Sequence, residues 1–212
     1  MLCVHKLYHY LLVSIHYSKM NSAVKNACII FALISCTSTF AQTPAAEQLL
    51  VTPPDHFVLG ADHSRDKNTY MEYVLSGQSV DNWTDMLTVQ IYKGASITPA
   101  AFLQKIGGGI VGKCPGTVSK HNIINGTSNG YVVSMLDLWC PNNPQTNKPE
   151  TIIFRVIKGA DALYSVQYAW RSTPTAEQID AAVKYLAQAS VCDSRSEQHS
   201  CPALSPVKSL SQ

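Results

Sequence analysis

The chain has 212 residues, 46% hydrophobic and only 14% charged, with a formal net charge of +2. That charge sits at the N-terminus. Residues 1–41 hold Lys6, Lys19 and Lys25 and no acid, which leaves the remainder thirteen cations against fourteen acids, about −1. A near-neutral body argues against nucleic acid as partner, because phosphate neutralisation needs clustered Lys and Arg, and against adhesion to anionic membranes.

Residues 1–41 read as a leader. From Met20, the expected true start, a short polar stretch with Lys25 precedes an apolar run from Ala27 to Ile34 and then small residues, the layout of a secretory signal. The run is shorter than the roughly 20 residues that span a bilayer. Two cleavage readings compete. Thr39-Phe40-Ala41 before Gln42 suits an ordinary signal peptidase and is preferred. Leu33-Ile34-Ser35-Cys36 resembles a bacterial lipobox, with Cys36 lipidated. The expected product is periplasmic or secreted, or else an outer-membrane lipoprotein whose only membrane contact is its lipid. A lipobox-like leader points to a Gram-negative bacterium, where the glycosylation patterns at Asn82 and Asn125 carry no meaning. Residues 42–55, with Pro44, Pro53 and Pro54, read as a linker. Residues 56–192 read as one globular domain, and 193–212 as a Ser- and Pro-rich tail.

Within the domain, 69–76 reads as a strand. Residues 83–93 alternate most clearly, with Trp83, Asp85, Leu87, Val89 and Ile91 on one face and Met86, Thr88, Gln90 and Tyr92 on the other. The polar loop between them predicts a hairpin. Thr98-Pro99 then signals a helix start, with Phe102, Leu103 and Ile106 as its apolar stripe. Strands follow at 117–124, 131–139, 151–158 and 162–170. Thr173-Pro174 opens a second helix with Ile179, Ala182, Val183 and Leu186 on one face. The expected fold is α+β: a single antiparallel sheet, order β-β-α-β-β-β-β-α, covered by two helices. That order resembles the small α/β/α sandwiches of the PsbP-like and DcrB-like group over about residues 56–192. The resemblance implies a binding or assembly factor and supplies no catalytic set.

Beyond the leader there are four cysteines, Cys114, Cys140, Cys192 and Cys201. An even number in an exported chain favours disulfides. Of the three connectivities, Cys114–Cys140 with Cys192–Cys201 is preferred: the first pins a helix end to a strand end, the second holds the tail. Dispersed cysteines without C-x-x-C, and histidines without a shared ligand spacing, predict no metal, and no cofactor is expected.

Gly107-Gly108-Gly109-Ile110-Val111-Gly112-Lys113 matches most of a phosphate-binding loop. Such a loop joins a strand to a helix N-terminus and ends in Ser or Thr for magnesium. Here a helix precedes the glycines, Cys114 stands at the hydroxyl place, and Pro115-Gly116 follows, so no nucleotide is expected. Asp62-His63-Ser64 groups three catalytic residue types, but a triad is a matter of geometry. Asp137 and Arg155 lie in apolar strands and are either a pair of charged groups in a pocket or groups on a polar sheet face or edge that can pair across strands. Trp83, Trp139 and Trp170 are candidates to line a ligand groove. Three functions stay in view. The first is an exported non-enzymatic domain that binds a protein or envelope component. The second is a small exported hydrolase around Asp137, Arg155 or His121. The third is a secreted host-directed effector.

Overall fold

The computed structural model describes residues 46–119 and 121–202. The leader, its two cleavage sites and Cys36 lie outside them. The chain runs β1 (Glu47–Leu50), β2 (Phe57–Asp62), β3 (Asn68–Leu75), β4 (Asp85–Lys93), α1 (Pro99–Lys113), β5 (Ile124–Ser128), β6 (Tyr131–Asn143), β7 (Lys148–Lys158), β8 (Ala162–Trp170), α2 (Ala176–Gln188) and β9 (Ser190–Asp193). The class is α+β with antiparallel pairing, but there are two sheets. Seven strands form the order β2-β3-β4-β8-β7-β6-β5, and β1 pairs with β9 in a separate two-stranded sheet.

The three additional strands have physical reasons for being hard to read. β1 and β9 are four residues each and exist because the two ends of the domain meet, Glu47 opposite Asp193 and Leu50 opposite Ser190. No local pattern announces such a pairing. The stretch read as a linker thus carries a strand. The stretch read as a tail is tied back by the Cys192–Cys201 disulfide and by Asp193 N–H donating to the His199 carbonyl at 2.7 Å. β2 is an edge strand with Val58 and Leu59 exposed and a bulge between Leu59 and Ala61, so its alternation is broken.

The central strands are buried on both faces, which is why β7 and β8 read as nearly continuous apolar runs. Phe154 and Val156 of β7 pack with Phe102 and Leu103 of α1. Their neighbour Ile153 packs on the other face with Ala182 and Leu186 of α2. The helices therefore lie on opposite sides of the sheet. The alternation read in β4 holds from Leu87 onward. Trp83 departs from it: residues 79–84 are irregular, bent backbone before the strand starts at Asp85, and the indole packs with Val74, Met86 and Ala169 on the α1 side.

α1 begins where Thr98 and Pro99 predict, with the Thr98 side chain accepting from Ala101 N–H at 3.2 Å. It does not stop at the glycines. All of Gly107–Lys113 is helical, and Cys114 caps the end and bonds to Cys140 of β6. Gly107 is buried against the sheet, where a Cβ would lie in ordinary contact 3.4 Å from Leu136 Cδ2. α2 starts two residues later than expected. Thr175, not Thr173, is the N-cap, in a capping box with Gln178. Its buried stripe is Ala182 and Leu186, with Ile179 and Tyr185 beside them, whereas Val183 is exposed. The expected strand at 117–124 is reduced to a bridge between Val118 and Trp139, and β5 starts at Ile124.

Candidate functional site

The site is assembled from β6, β7 and the turn into α2. Asp137 and Trp139 of β6 point to the α2 side, opposite Ile153 and Thr151 of β7. Thr173, Pro174 and Ile179 lean over them from the start of the helix. Between these groups is a mostly apolar recess of about 230 Å³. The Asp137 carboxylate stands on its lining, 23% exposed.

His121 Nδ1 lies 3.2 Å from Asp137 Oδ1, and Ser119 Oγ lies 3.4 Å from the same oxygen. The three residue types of a hydrolytic triad thus meet, in a different order of contact. The Ser119 hydroxyl donates to the main-chain carbonyl of His121, not to its ring. A nucleophilic serine needs its proton aimed at a basic imidazole nitrogen. Here Asp137 gathers both Ser119 and His121 beside the recess without aligning them with each other.

Asp137 and Arg155 do not pair. In the register Asp137 faces Ile153, and Arg155 faces Met135. Arg155 is 7% exposed, and its Nε donates to the Ala189 carbonyl at 2.9 Å. Ala189 is the C-cap of α2, whose last turn holds no basic residue. The sheet supplies the cation that the helix end lacks, which answers both an orphan carbonyl and the negative end of the helix dipole. Burial lowers the Arg155 pKa from its ordinary value. Its role is to dock α2.

The tryptophans separate as well. Trp139 lines the recess, with its indole N–H inaccessible and unpartnered among the described residues. Trp170 is 2% exposed under α2, 4.7 Å from the Tyr168 ring. Trp83 lies on the opposite face, covered by the Arg171 guanidinium at 4.3 Å from the ring centroid. Only Trp139 joins Asp137. Asp62-His63-Ser64 closes β2 and leads out of it: Asp62 Oδ1 accepts from Ser64 N–H at 2.8 Å, and His63 reaches Glu72 at 3.5 Å. Gly107–Lys113 forms the C-terminal half of α1, mostly exposed beyond the buried Gly107, and lacks the strand-to-helix turn of a phosphate cradle. No cluster of three or more metal-ligating side chains occurs among the described residues.

Ser119, Ile153, Thr173, Pro174 and Ile179 were not legible as site residues. Thr173-Pro174 signalled a helix start two residues too early. That displacement is itself the signal, since a Thr-Pro pair left outside the helix forms the roof of the recess.

Two disulfides fit an oxidising compartment and hence export. No helix among the described residues is long and apolar enough to cross a membrane.

No protein-family model matches the chain, and no curated protein matches it. Among solved structures it is similar to LpqN of Mycobacterium tuberculosis, described as involved in cell envelope biogenesis. Identity there is 17% and the TM-score 0.44, over 71% of this chain and 87% of that one. It is also similar to the Ran-binding protein Mog1p of Saccharomyces cerevisiae, at 10% identity and a TM-score of 0.40, over 66% of this chain and 84% of that one.

Proposed function

We propose that this chain is an exported, non-enzymatic binding domain of the bacterial envelope or secretome, and that the recess under the start of α2 takes an apolar side chain of a protein partner. The observation that supports this is the recess itself. It has apolar walls, one carboxylate on its lining and a size suited to a single side chain. Asp137 selects a partner whose apolar residue is flanked by Lys or Arg, because an acceptor-only group at a desolvated edge favours a charged donor. A hydrolase is the weaker reading, since Ser119 faces a carbonyl instead of an imidazole nitrogen.

The test is a photo-cross-linker in place of Thr173, with Gln104 on the exposed side of α1 as the control position, both used in envelope extract. The expected result is one discrete adduct from position 173 only, lost on Asp137→Lys. Equal labelling from both positions, or no adduct from position 173, overturns the reading.

A further inference from the structure

The face of the sheet that carries α2 has two further hollows. The larger, of about 640 Å³, lies between β1 and strands β3 and β4, and Glu47, Asp161 and Lys93 are the charged groups on its lining. The Glu47 carboxylate accepts from the backbone N–H groups of Ala160 and Asp161 at 2.5 and 3.0 Å and from the Tyr164 hydroxyl at 2.8 Å. Asp161 is held by Arg195 Nη2 at 2.6 Å. Charges of both signs line this hollow, and it singles out no ligand.

The smaller hollow, of about 280 Å³, opens on the β4 side of α2, whereas the recess of Asp137 opens on the β6 side. It is lined by Tyr168 and Trp170 of β8, Tyr185 and Ala181 of α2, Asp85 of β4, and Pro54. The strand register gathers them: Asp85 faces Trp170 and Leu87 faces Tyr168, which puts the carboxylate and both rings on one side of the sheet. The Tyr168 ring lies 4.7 Å from that of Trp170 and 6.3 Å from that of Tyr185, at interplanar angles of 40° and 74°. Tyr168 and Tyr185, both half-buried, thus form a corner with Trp170 behind it. The Tyr185 hydroxyl donates to the Thr52 carbonyl at 2.8 Å, which fixes its ring.

Asp85 is the one charged group on this lining. Its carboxylate accepts from the Thr84 hydroxyl at 2.8 Å and has no ion-pair partner among the described residues. Lys184 of α2 pairs with Asp180 of the same helix. Burial, with Asp85 beside it, pushes the Tyr168 phenol up to about 12, so the ring stays neutral and the negative charge rests on Asp85. Aromatic faces attract a cation through the ring quadrupole, most strongly where water is excluded, and quaternary ammonium groups are bound in this way. A primary ammonium would lose hydrogen bonds to water that a cleft with so few acceptors does not replace. An anionic group on the ligand would find no cation on the lining.

We propose that this cleft binds a small quaternary ammonium cation that carries no anion of its own, with its methyl groups in the corner of Tyr168 and Tyr185 and its charge facing Asp85. The site is separate from the recess under the start of α2 and stands or falls without it.

The experiment uses the full disulfide-bonded protein and three probes: choline, its neutral isostere dimethylbutanol, in which carbon replaces the quaternary nitrogen, and phosphocholine. Calorimetry reads affinity, and methyl NMR reads location. The expected result is one-to-one binding of choline with shifts at Ala181 and Ala182. Dimethylbutanol should bind about tenfold more weakly, the loss of one partly desolvated cation–π contact, and phosphocholine should bind more weakly than choline. Asp85→Asn should lower the affinity for choline about fivefold and leave that for the alcohol unchanged, and Asp85→Glu should retain choline binding. No binding of choline at millimolar concentration, equal affinity for choline and the alcohol, insensitivity to Asp85→Asn, or tighter binding of phosphocholine would overturn the proposal. Shifts at Ile153 and Ile179 instead would also overturn it, by placing the ligand in the other recess.

Discussion

The two halves of one sheet face are covered by different means. Over β7 and β8 lies α2, which brings Ala182 and Leu186 of its own and leaves a recess of about 230 Å³ at its N-terminal end. Over β3 and β4 there is no helix. The neighbouring strap is a four-residue strand, held by a carboxylate in a set of backbone N–H groups and by pairing with β9. A helix with an apolar stripe fills the space it covers. A short strand held at its ends by polar contacts sets a wall and leaves a hollow. Packing stabilises the first half, and anchoring stabilises the second.

The largest expected effect breaks the packed half. Leu186 is fully buried, so Leu186→Ala should cost about 2–5 kcal/mol, the range for a buried leucine. Urea unfolding measures it. A loss near zero would mean that α2 rests on the sheet without holding it.

A smaller effect should be confined to the anchored half. Glu47→Gln leaves several donors facing an amide and should cost about 1–3 kcal/mol. Hydrogen exchange should quicken in β1 and β9 and stay unchanged in α2. Gly159→Ala attacks the same anchor, since a Cβ there would collide with the Glu47 carboxylate. The double variant should cost hardly more than either single one, because both remove one contact set. Additive losses would show two independent effects.

The helix on the opposite face gives a third magnitude, of opposite sign. A Cβ at Gly108 meets nothing within 4 Å. Gly108→Ala should therefore stabilise by about 0.5–1 kcal/mol, the propensity difference alone, and Gly107→Ala, whose Cβ would come into ordinary contact with Leu136, should gain a similar amount. Thermal unfolding of the two variants side by side decides this.

The smallest effect should come from acid. Hydrogen bonds from Arg195 hold the Asp193 carboxyl below its ordinary pKa. A depressed carboxyl contributes stability that is full above the unfolded pKa of about 4 and is lost as pH falls through the folded value. Exchange in β9 should quicken as pH drops below about 4, and Asp193→Asn should give that behaviour at neutral pH. An acid response that persists in the Asn variant would assign it to another group. Tyr164 belongs to the same anchor: burial, with the adjacent Glu47 carboxylate, pushes its phenol above the ordinary tyrosine range.

What the sequence determined is what neighbours along the chain decide. The alternation of Leu87, Val89 and Ile91 against Met86, Thr88 and Gln90 sets β4 between two layers, and Thr98-Pro99 sets the start of α1. An α+β class with antiparallel pairing follows from short turns between apolar runs. The tertiary structure decided whatever depends on residues distant in sequence. β1 and β9 are strands only because the ends of the domain meet. Arg155 serves a helix end 34 positions away, and Glu47 is held by a turn more than a hundred residues later. The glycines after Ile106 stay helical because Gly107 packs against Leu136 and the Cys114–Cys140 bridge ties down the helix end, although glycine alone disfavours a helix. Asp137 and Trp139 were legible as candidates. Their union in a recess, and the hollow over β3 and β4, arise from where α2 stops covering the sheet, and no window of sequence contains that boundary.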